Sequence, residues 1–258
     1  MSSWSARRRT YFLAIVVGFF ALVSIALYYL FFWKAASCVD GILNQSELDV
    51  DCGGPCEKVC AIEVSPLIKD WARALKTTEG KYDVAALIEN PNFNLGIKKL
   101  NYVFRLYDSD NTFLTEKAGD TFVNARDKFV IFAGNLDTGK RIPAKAIVEF
   151  DPKTTWSRVD PKKSKPPIIV QNPNFTNTPM PRLTAEMIND SIFDLTDITV
   201  TTVIYDEENN AIAVSQTFLN SLKRGLTENI AFTWPVPFSL AQPAKEIYAR
   251  VDLVNRVR

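Results

Sequence analysis

The chain of 258 residues contains no histidine. That absence removes the Ser-His-Asp and Cys-His triads, His-ligated zinc and haem, and the commonest general base. Net charge is nearly absent too, with 30 Lys+Arg against 29 Asp+Glu. A protein that binds nucleic acid by neutralising phosphates would be far more basic, so no nucleic-acid partner is expected. No nucleophile elbow, phosphate loop or glycine-rich nucleotide turn stands out. An apolar fraction of 47% and a charged fraction of 23% exclude wholesale disorder. The length allows one large domain or two of about a hundred residues each.

Charge is missing altogether between Tyr11 and Trp33. At about 1.5 Å per residue such a run spans the roughly 30 Å hydrocarbon core of a bilayer. Arg7, Arg8 and Arg9 precede it, and Lys34 alone follows closely. This bias predicts a cytoplasmic tail over 1–10, a transmembrane helix over 11–33 and an exported remainder, giving a single-pass cell-membrane protein. Tyr28, Tyr29 and Trp33 fall where an outer aromatic belt would lie. The competing reading is a cleaved signal peptide, with Ala35-Ala36-Ser37 as small residues ahead of Cys38. Signal peptides have apolar regions of only about 7–15 residues, which favours the uncleaved anchor. The three arginines are the only charges before Lys34, so the exported part is slightly acidic and is not built to adhere to anionic lipid.

All four cysteines, Cys38, Cys52, Cys56 and Cys60, lie in one short run. On the exported side of a membrane an even, clustered set reads as two disulfides among three pairings. A segment as short as 34–60 cannot bury a core and needs such cross-links. A zinc or iron-sulfur site would bring Cys-x2-Cys pairs, and this spacing has none. Asp40, Asn44, Glu47, Asp49 and Asp51 between the first two cysteines are hard-cation ligands. Calcium, which takes about six to eight oxygens, is the one cofactor this set admits. The spacing is not that of an EF-hand, because Gly41 follows the first Asp too soon and no closing Glu fits. The alternative is that Ser46 caps a helical turn with Asp49 at its third position, leaving the other acids solvated. The pattern Cys-x-Asp-Gly-x-x-Asn-x-x-Glu-x-x-x-Asp-Cys-Gly-Gly-x-Cys resembles a short module found in exported bacterial proteins, often beside β-rich domains. The resemblance implies a bacterial envelope setting, strengthens the metal reading and supplies no activity.

The remainder suits two β-sandwiches of about a hundred residues. Leu87-Ile88 matches Met187-Ile188, Phe93-Asn94-Leu95 matches Phe193-Asp194-Leu195, and Pro143-Ala144-Lys145 matches Pro243-Ala244-Lys245, all at an offset of 100. Tyr107-Asp108 and Tyr205-Asp206 match at 98. A rival offset of 82 joins Asn90-Pro91-Asn92-Phe93 to Asn172-Pro173-Asn174-Phe175 and explains nothing else. A tandem repeat is therefore expected, with domains over 61–151 and 168–258. The Lys- and Pro-rich segment 152–167 is the expected linker, its Lys162, Lys163 and Lys165 solvated.

Within each copy the period is two. Leu100, Tyr102, Phe104 and Leu106 alternate with Asn101, Val103, Arg105 and Tyr107, as in a strand with one buried face. Ile198, Val200, Thr202 and Ile204 repeat the phase. The following Asp108-Ser-Asp-Asn111 and Asp206-Glu-Glu-Asn-Asn210 carry turn chemistry. Later strands are expected over Phe129–Phe132, Ile147–Phe150, Ile230–Trp234 and Ile247–Val251. Ser65-Pro66 and the apolar residues after it have helical spacing and a cap, with Gly80 as a stop. A strand over the same residues, paired with Tyr82–Ile88, is the preferred reading on family grounds.

Those grounds rest on Phe104-Arg-Leu-Tyr-Asp108, which resembles the signature of the FxLYD-like domain family, small exported bacterial β-sandwich domains. Asn90-Pro-Asn92 and the strand from Leu100 fit its lead-in, and the resemblance covers roughly Ile62 to Asp151. The second copy has Thr202 where Phe is expected and is a diverged relative. The family implies architecture and carries no established catalysis. The expected fold is mainly β, one N-terminal transmembrane helix followed by two tandem immunoglobulin-like β-sandwich domains.

The expected function is that of a membrane-anchored extracytoplasmic, non-enzymatic binding or structural module of the bacterial envelope, its partner an envelope protein or a glycan. Polar segments such as Gln171–Thr178 read as prolyl turns. The alternative is an exported hydrolase using paired carboxylates, such as Asp108 with Asp110 or Asp194 with Asp197. Homo-oligomers could form through Ala14 and Gly18 or through free sheet edges, with Lys98-Lys99 opposing edge pairing.

Overall fold

The computed structural model describes residues 4–32, 37–160, 167–239 and 242–255. The chain divides into two compact units, residues 1–56 and 57–258. The second unit is referred to below as the body.

The first unit opens with helix α1, Trp4–Phe32, which begins before the arginines. Its Arg7–Leu30 stretch is long and apolar enough to cross a membrane, and none of it is buried. Apolar side chains face every direction, as contact with lipid requires. The expected belt residue Trp33 and the Ala35-Ala36 pair lie outside the described residues. Among the described residues, the neck that follows contains no helical turn. Gln45, Ser46 and Asp51 have φ of 51°, 67° and 56°, and Gly53 and Gly54 have 75° and 53°. Ser46 in that left-handed conformation cannot act as an N-cap, which needs extended backbone. The expected cap is thus replaced by a string of tight turns, closed by a bridge between Asp49 and Cys52. Gly54 is obligatory, because a Cβ there would sit 2.2 Å from the Ser46 carbonyl oxygen.

Among the described residues, the body contains thirteen strands after a short 3-10 turn, Ala61–Glu63. The first seven are β1 Ile68–Thr78, β2 Lys81–Glu89, β3 Leu95–Tyr107, β4 Phe113–Val123, β5 Lys128–Asp137, β6 Lys145–Phe150 and β7 Trp156–Arg158. The other six are β8 Ile168–Thr176, β9 Arg182–Asn189, β10 Leu195–Tyr205, β11 Ala211–Leu222, β12 Thr227–Thr233 and β13 Ala244–Arg250. The segment with helical spacing is strand β1, paired antiparallel with β2 across the Thr78/Lys81 hairpin. Its apolar residues are used on two different faces, which a period of about 3.6 imitates over a short stretch. Trp156–Arg158, expected in a linker, pairs with Leu95–Ile97 of β3. Residues 161–166, which include the three linker lysines, lie outside the described residues. Gln171–Thr176, expected as a turn, belongs to β8, and the surplus residues are taken up in a bulge between Gln171 and Asn174 with Asn172 at φ 53°.

Two sheets, β1-β2-β5 and β4-β3-β6, enclose one core that includes Phe104, Leu106, Phe129 and Val148. Two more, β12-β9-β8 and β11-β10-β13, enclose a second around Leu183, Met187, Ile198 and Phe232. The strand order is the same in both sandwiches when β8 to β13 are read against β1 to β6. Lys98 and Lys99 lie on β3, the central strand of its sheet, so they guard no edge.

A third core joins the two sandwiches. Leu75, Ala85, Leu87 and Val130 on the outer face of β1-β2-β5 meet Val203, Tyr205, Ala211 and Val214 on the outer face of β11-β10-β13. Four sheets are thus stacked with three apolar layers between them. Strands β2 and β10 are buried on both sides, so Val84–Ile88 and Val200–Tyr205 are unbroken buried runs.

Candidate functional site

In the neck, Cys38 and Cys56 are bonded with Cα atoms 5.5 Å apart. Cys52 and Cys60 are disulfide-bonded as well, and no cysteine is free. The four acids between them are turned onto the chain's own amides. Asp51 accepts the Gly41 N–H on both oxygens at 3.1 Å. Asp40 Oδ1 accepts from Ile42 at 2.9 Å, and its Oδ2 accepts from Ser37 and from the Asn44 side-chain amide at 3.0 and 2.9 Å. Glu47 Oε2 accepts from Asn44 and Asp51, both at 3.3 Å, and Asp49 Oδ1 from Val50 at 2.8 Å. Asn44 Oδ1 is buried without a hydrogen-bond partner.

The donor types of this set suit calcium, and its carboxylates are engaged by backbone amides. Among the described residues, the only convergent group of three or more metal-ligating His, Cys, Asp or Glu atoms is Cys38, Glu47 and Cys56. Both cysteines there are locked in a disulfide, whose sulfurs are not thiolates. Glu47 Oε1 lies 3.1 Å from Cys56 Sγ, a close contact with a sulfur that carries no proton.

The sandwich junction holds a buried ion pair. Arg250, at the end of β13, bonds Asp127 Oδ2 through Nε at 3.3 Å and Nη2 at 3.1 Å. It also donates to the Phe122 carbonyl at 2.6 Å and to Thr121 Oγ1 at 3.2 Å. Its guanidinium lies over Phe129 and Phe122, 3.9 and 4.3 Å from the ring centroids. Burial lowers its pKa, while the Asp127 carboxylate opposes that shift. Beyond it the chain runs onto the first sandwich, where the Asn124 side chain bonds the Val251 carbonyl and the Leu253 amide at 3.0 Å each. On the rim of the third core, Glu246 accepts from Tyr205 at 3.1 Å and from Tyr248. Burial pushes the Tyr205 phenol up to about 12, with Glu246 adding to the shift and a Trp71 hydrogen bond opposing it. Burial, then the Glu246 bond, raises Tyr248 further.

A groove of about 480 Å³ opens where the β1–β2 hairpin of the first sandwich meets the start of β11 and Trp234–Phe238 of the second. Strands β1 and β11 each stand at the edge of their sheet. Beneath Val236 the rings of Phe175, Trp234 and Phe238 pack together, with Trp234 and Phe238 centroids 5.4 Å apart. Trp234 Nε1 is buried and without a hydrogen-bond partner. Lys76, Glu79 and Asp83 supply the groove's charges. Burial raises the Asp83 carboxyl, against a hydrogen bond from the Asn135 amide at 2.9 Å. The arrangement offers apolar contact, two strand edges and a few charges, which is binding chemistry. No local signal marks this groove, because its walls are distant in the chain and carry no motif.

Of the paired carboxylates, Asp108 is used in a turn, whereas Asp197 lies in β10. Asp108 Oδ1 accepts the amides of Asp110 and Thr112 at 3.0 and 2.8 Å, and its Oδ2 meets Arg141 at 2.9 Å. Backbone hydrogen bonding from Thr112 lowers its pKa, with smaller help from Asp110 and Arg141. Asp206 repeats the turn, accepting the Asn210 amide at 2.6 Å. Asp194 accepts the Arg224 amide at 2.9 Å, and Asp197 accepts the Thr196 hydroxyl at 3.0 Å.

No family model matches the sequence, and no curated protein does. Among solved structures, red sea bream transglutaminase is similar at 12% identity and a TM-score of 0.27, over 74% of this chain and 30% of that one. The N-terminal tandem CBM22-1-CBM22-2 domain of Paenibacillus barcinonensis Xyn10C is similar at 7% identity and a TM-score of 0.15, over 72% of this chain and 85% of that one. The chain spans under a third of the transglutaminase, and likenesses this distant assign it to no family.

Proposed function

We propose that this is a membrane-anchored, extracytoplasmic, non-enzymatic binding module of a bacterial cell envelope. The observation that carries the reading is the groove between the two fused sandwiches. It lies at the end of the body opposite Lys58, where the chain enters beside β7. The anchor runs over Arg7–Leu30 with the N-terminus inside, on the strength of Arg7, Arg8 and Arg9. The disulfides accord with an oxidising outer compartment. The shared strand order supports descent of the two sandwiches from one duplicated FxLYD-like unit. In the first, Phe104 and Leu106 are buried and Asp108 opens a turn, so the signature marks a fold and not a reaction centre.

The test is photo-cross-linking in intact cells with a reactive residue at Val236, which is 58% exposed on the groove. The reading expects a reproducible envelope protein or glycan adduct from Val236 and none from the same label at Ile169, away from the groove. Equal adducts at both positions contradict it. Hydrolysis of cell-wall glycan by the purified chain, abolished by Asp108→Asn or Asp194→Asn, favours the hydrolase instead.

A further inference from the structure

Each sheet of the body ends in edge strands, and an edge strand offers a row of unpaired amides and carbonyls to any other strand. Folded chains guard such edges with charges, prolines or bulges. Most edges of this body are guarded. Strands β1, β4, β5, β6, β7, β12 and β13 each carry at least one charged residue, and β8 is interrupted by Pro173 and its bulge. Among the described strands β11 is the exception at an edge, with 12 residues and no charge, proline or glycine.

Strand β4, the counterpart of β11 in the first sandwich, is guarded at two matched positions. Its Lys117 and Asp120 stand opposite Phe104 and Asn101 of β3. The matching residues of β10, Thr202 and Thr199, face Ser215 and Phe218 on β11. Where β4 has a lysine and an aspartate, β11 has a serine and a ring that is 56% exposed. Strand β11 pairs with β10 alone. Beyond that ladder, among the described residues, the one backbone group of β11 with a partner is the Leu222 carbonyl, which accepts from Asn189 at 2.8 Å. The groove between the sandwiches opens at the start of this free edge, with Ile212, Ala213 and Val214 in its wall.

Amides and carbonyls alternating at strand spacing are matched by the backbone of a second extended polypeptide. A glycan has no such array, and the Trp234 and Phe175 rings at the groove are buried, so neither offers a face to a sugar ring. The β1–β2 hairpin and Trp234–Phe238 flank the start of β11, which favours a lone extended segment over the sheet of a second copy. With no charge on β11 to pair with, an ionised side chain buried beside it would be uncompensated.

From this we infer that the free edge of β11 is a strand-addition site, which takes an extended, uncharged segment of a partner protein and leads it into the groove. The inference rests on the groove as the binding surface and names the class of its occupant. Backbone pairing along 215–221 supplies the affinity, and the apolar walls at Ile212 and Val236 select the side chains that enter.

The test places a photo-reactive residue in the full chain, in intact cells, at Gln216, Phe218 or Asn220, all exposed on β11, and at Val236. The expected adducts at all four positions are with one polypeptide. The residues linked from 216, 218 and 220 should lie in one short segment of it, in sequence order, about two residues apart at each step. Moving the β4 charges onto β11, as Ser215→Lys with Phe218→Asp, should abolish the adducts at 216, 220 and 236. Adducts at Val236 with none on β11, with a glycan, or at scattered residues of the partner overturn strand addition and leave the binding reading standing. Labels on β11 that link to β11 of a second copy overturn it as well. No adduct at any position defeats the binding reading itself, which separates the two failures. The order of the linked residues is read without the charged variant, so it decides the outcome even where that variant fails to fold.

Discussion

Arg250 and Asp127 are 5% and 8% exposed, and they pair in a site that also holds the Phe122 and Phe129 rings, the Phe122 carbonyl and the Thr121 hydroxyl. Their attraction offsets the cost of removing both from water, so the pair holds register more than it adds stability. Arg250→Met strands the Asp127 carboxylate and should destabilise the body by about 3–5 kcal/mol in urea unfolding. Adding Asp127→Leu should recover most of that loss, because the double change leaves no buried charge unpaired. A double variant no more stable than Arg250→Met would show that the guanidinium matters through its bonds to Phe122 and Thr121 instead. Residue-scale legibility was uneven. The buried Phe104 and Leu106 and the Asp108 turn are read directly from alternation and side-chain chemistry. The partnership of Arg250 with Asp127 was not, since nothing local marks a charge whose counterion is over a hundred positions away.

Most strands were legible because alternation and turn residues are local signals. What those signals omit is a second buried face. Val84-Ala85-Ala86-Leu87-Ile88 in β2 and Val203-Ile204-Tyr205 in β10 are continuous runs, the pattern of strands covered on both sides. Read as single-faced strands they give two separate sandwiches; read as two-faced they require a layer between. In the neck it is the capped helical turn that does not form, since Ser46 is left-handed, and carboxylates that hold backbone amides and carboxylates that bind a cation have one composition. The polar rim of the third layer gives this element-scale account a pH signature. Tyr205 on β10 ordinarily titrates near 10 and is raised to about 12 in the fold. A folded-state value above the unfolded one contributes stability that is complete below the unfolded value and is lost as pH rises. Thermal stability should therefore fall as the pH goes from 10 to about 12, and the fall should be smaller in Tyr205→Phe. An identical decline in the variant would remove Tyr205 from the account.

For the molecule as a whole, the third core changes what the chain can do. Two sandwiches joined only by 152–167 would move independently, and a groove between them would open and close. Stacked through Leu75, Leu87, Val203 and Val214 and clasped by the chain from Arg250 to Asn255, they present one fixed surface at the end away from the tether. The binding proposal depends on that fusion more than on any single residue. Scanning calorimetry of the full chain, with the disulfides intact, tests it most directly. The account predicts one transition for the β-rich body, with the calorimetric enthalpy equal to the van't Hoff value and both sandwiches lost together. Two resolved transitions, each with the enthalpy of a single sandwich, would contradict it.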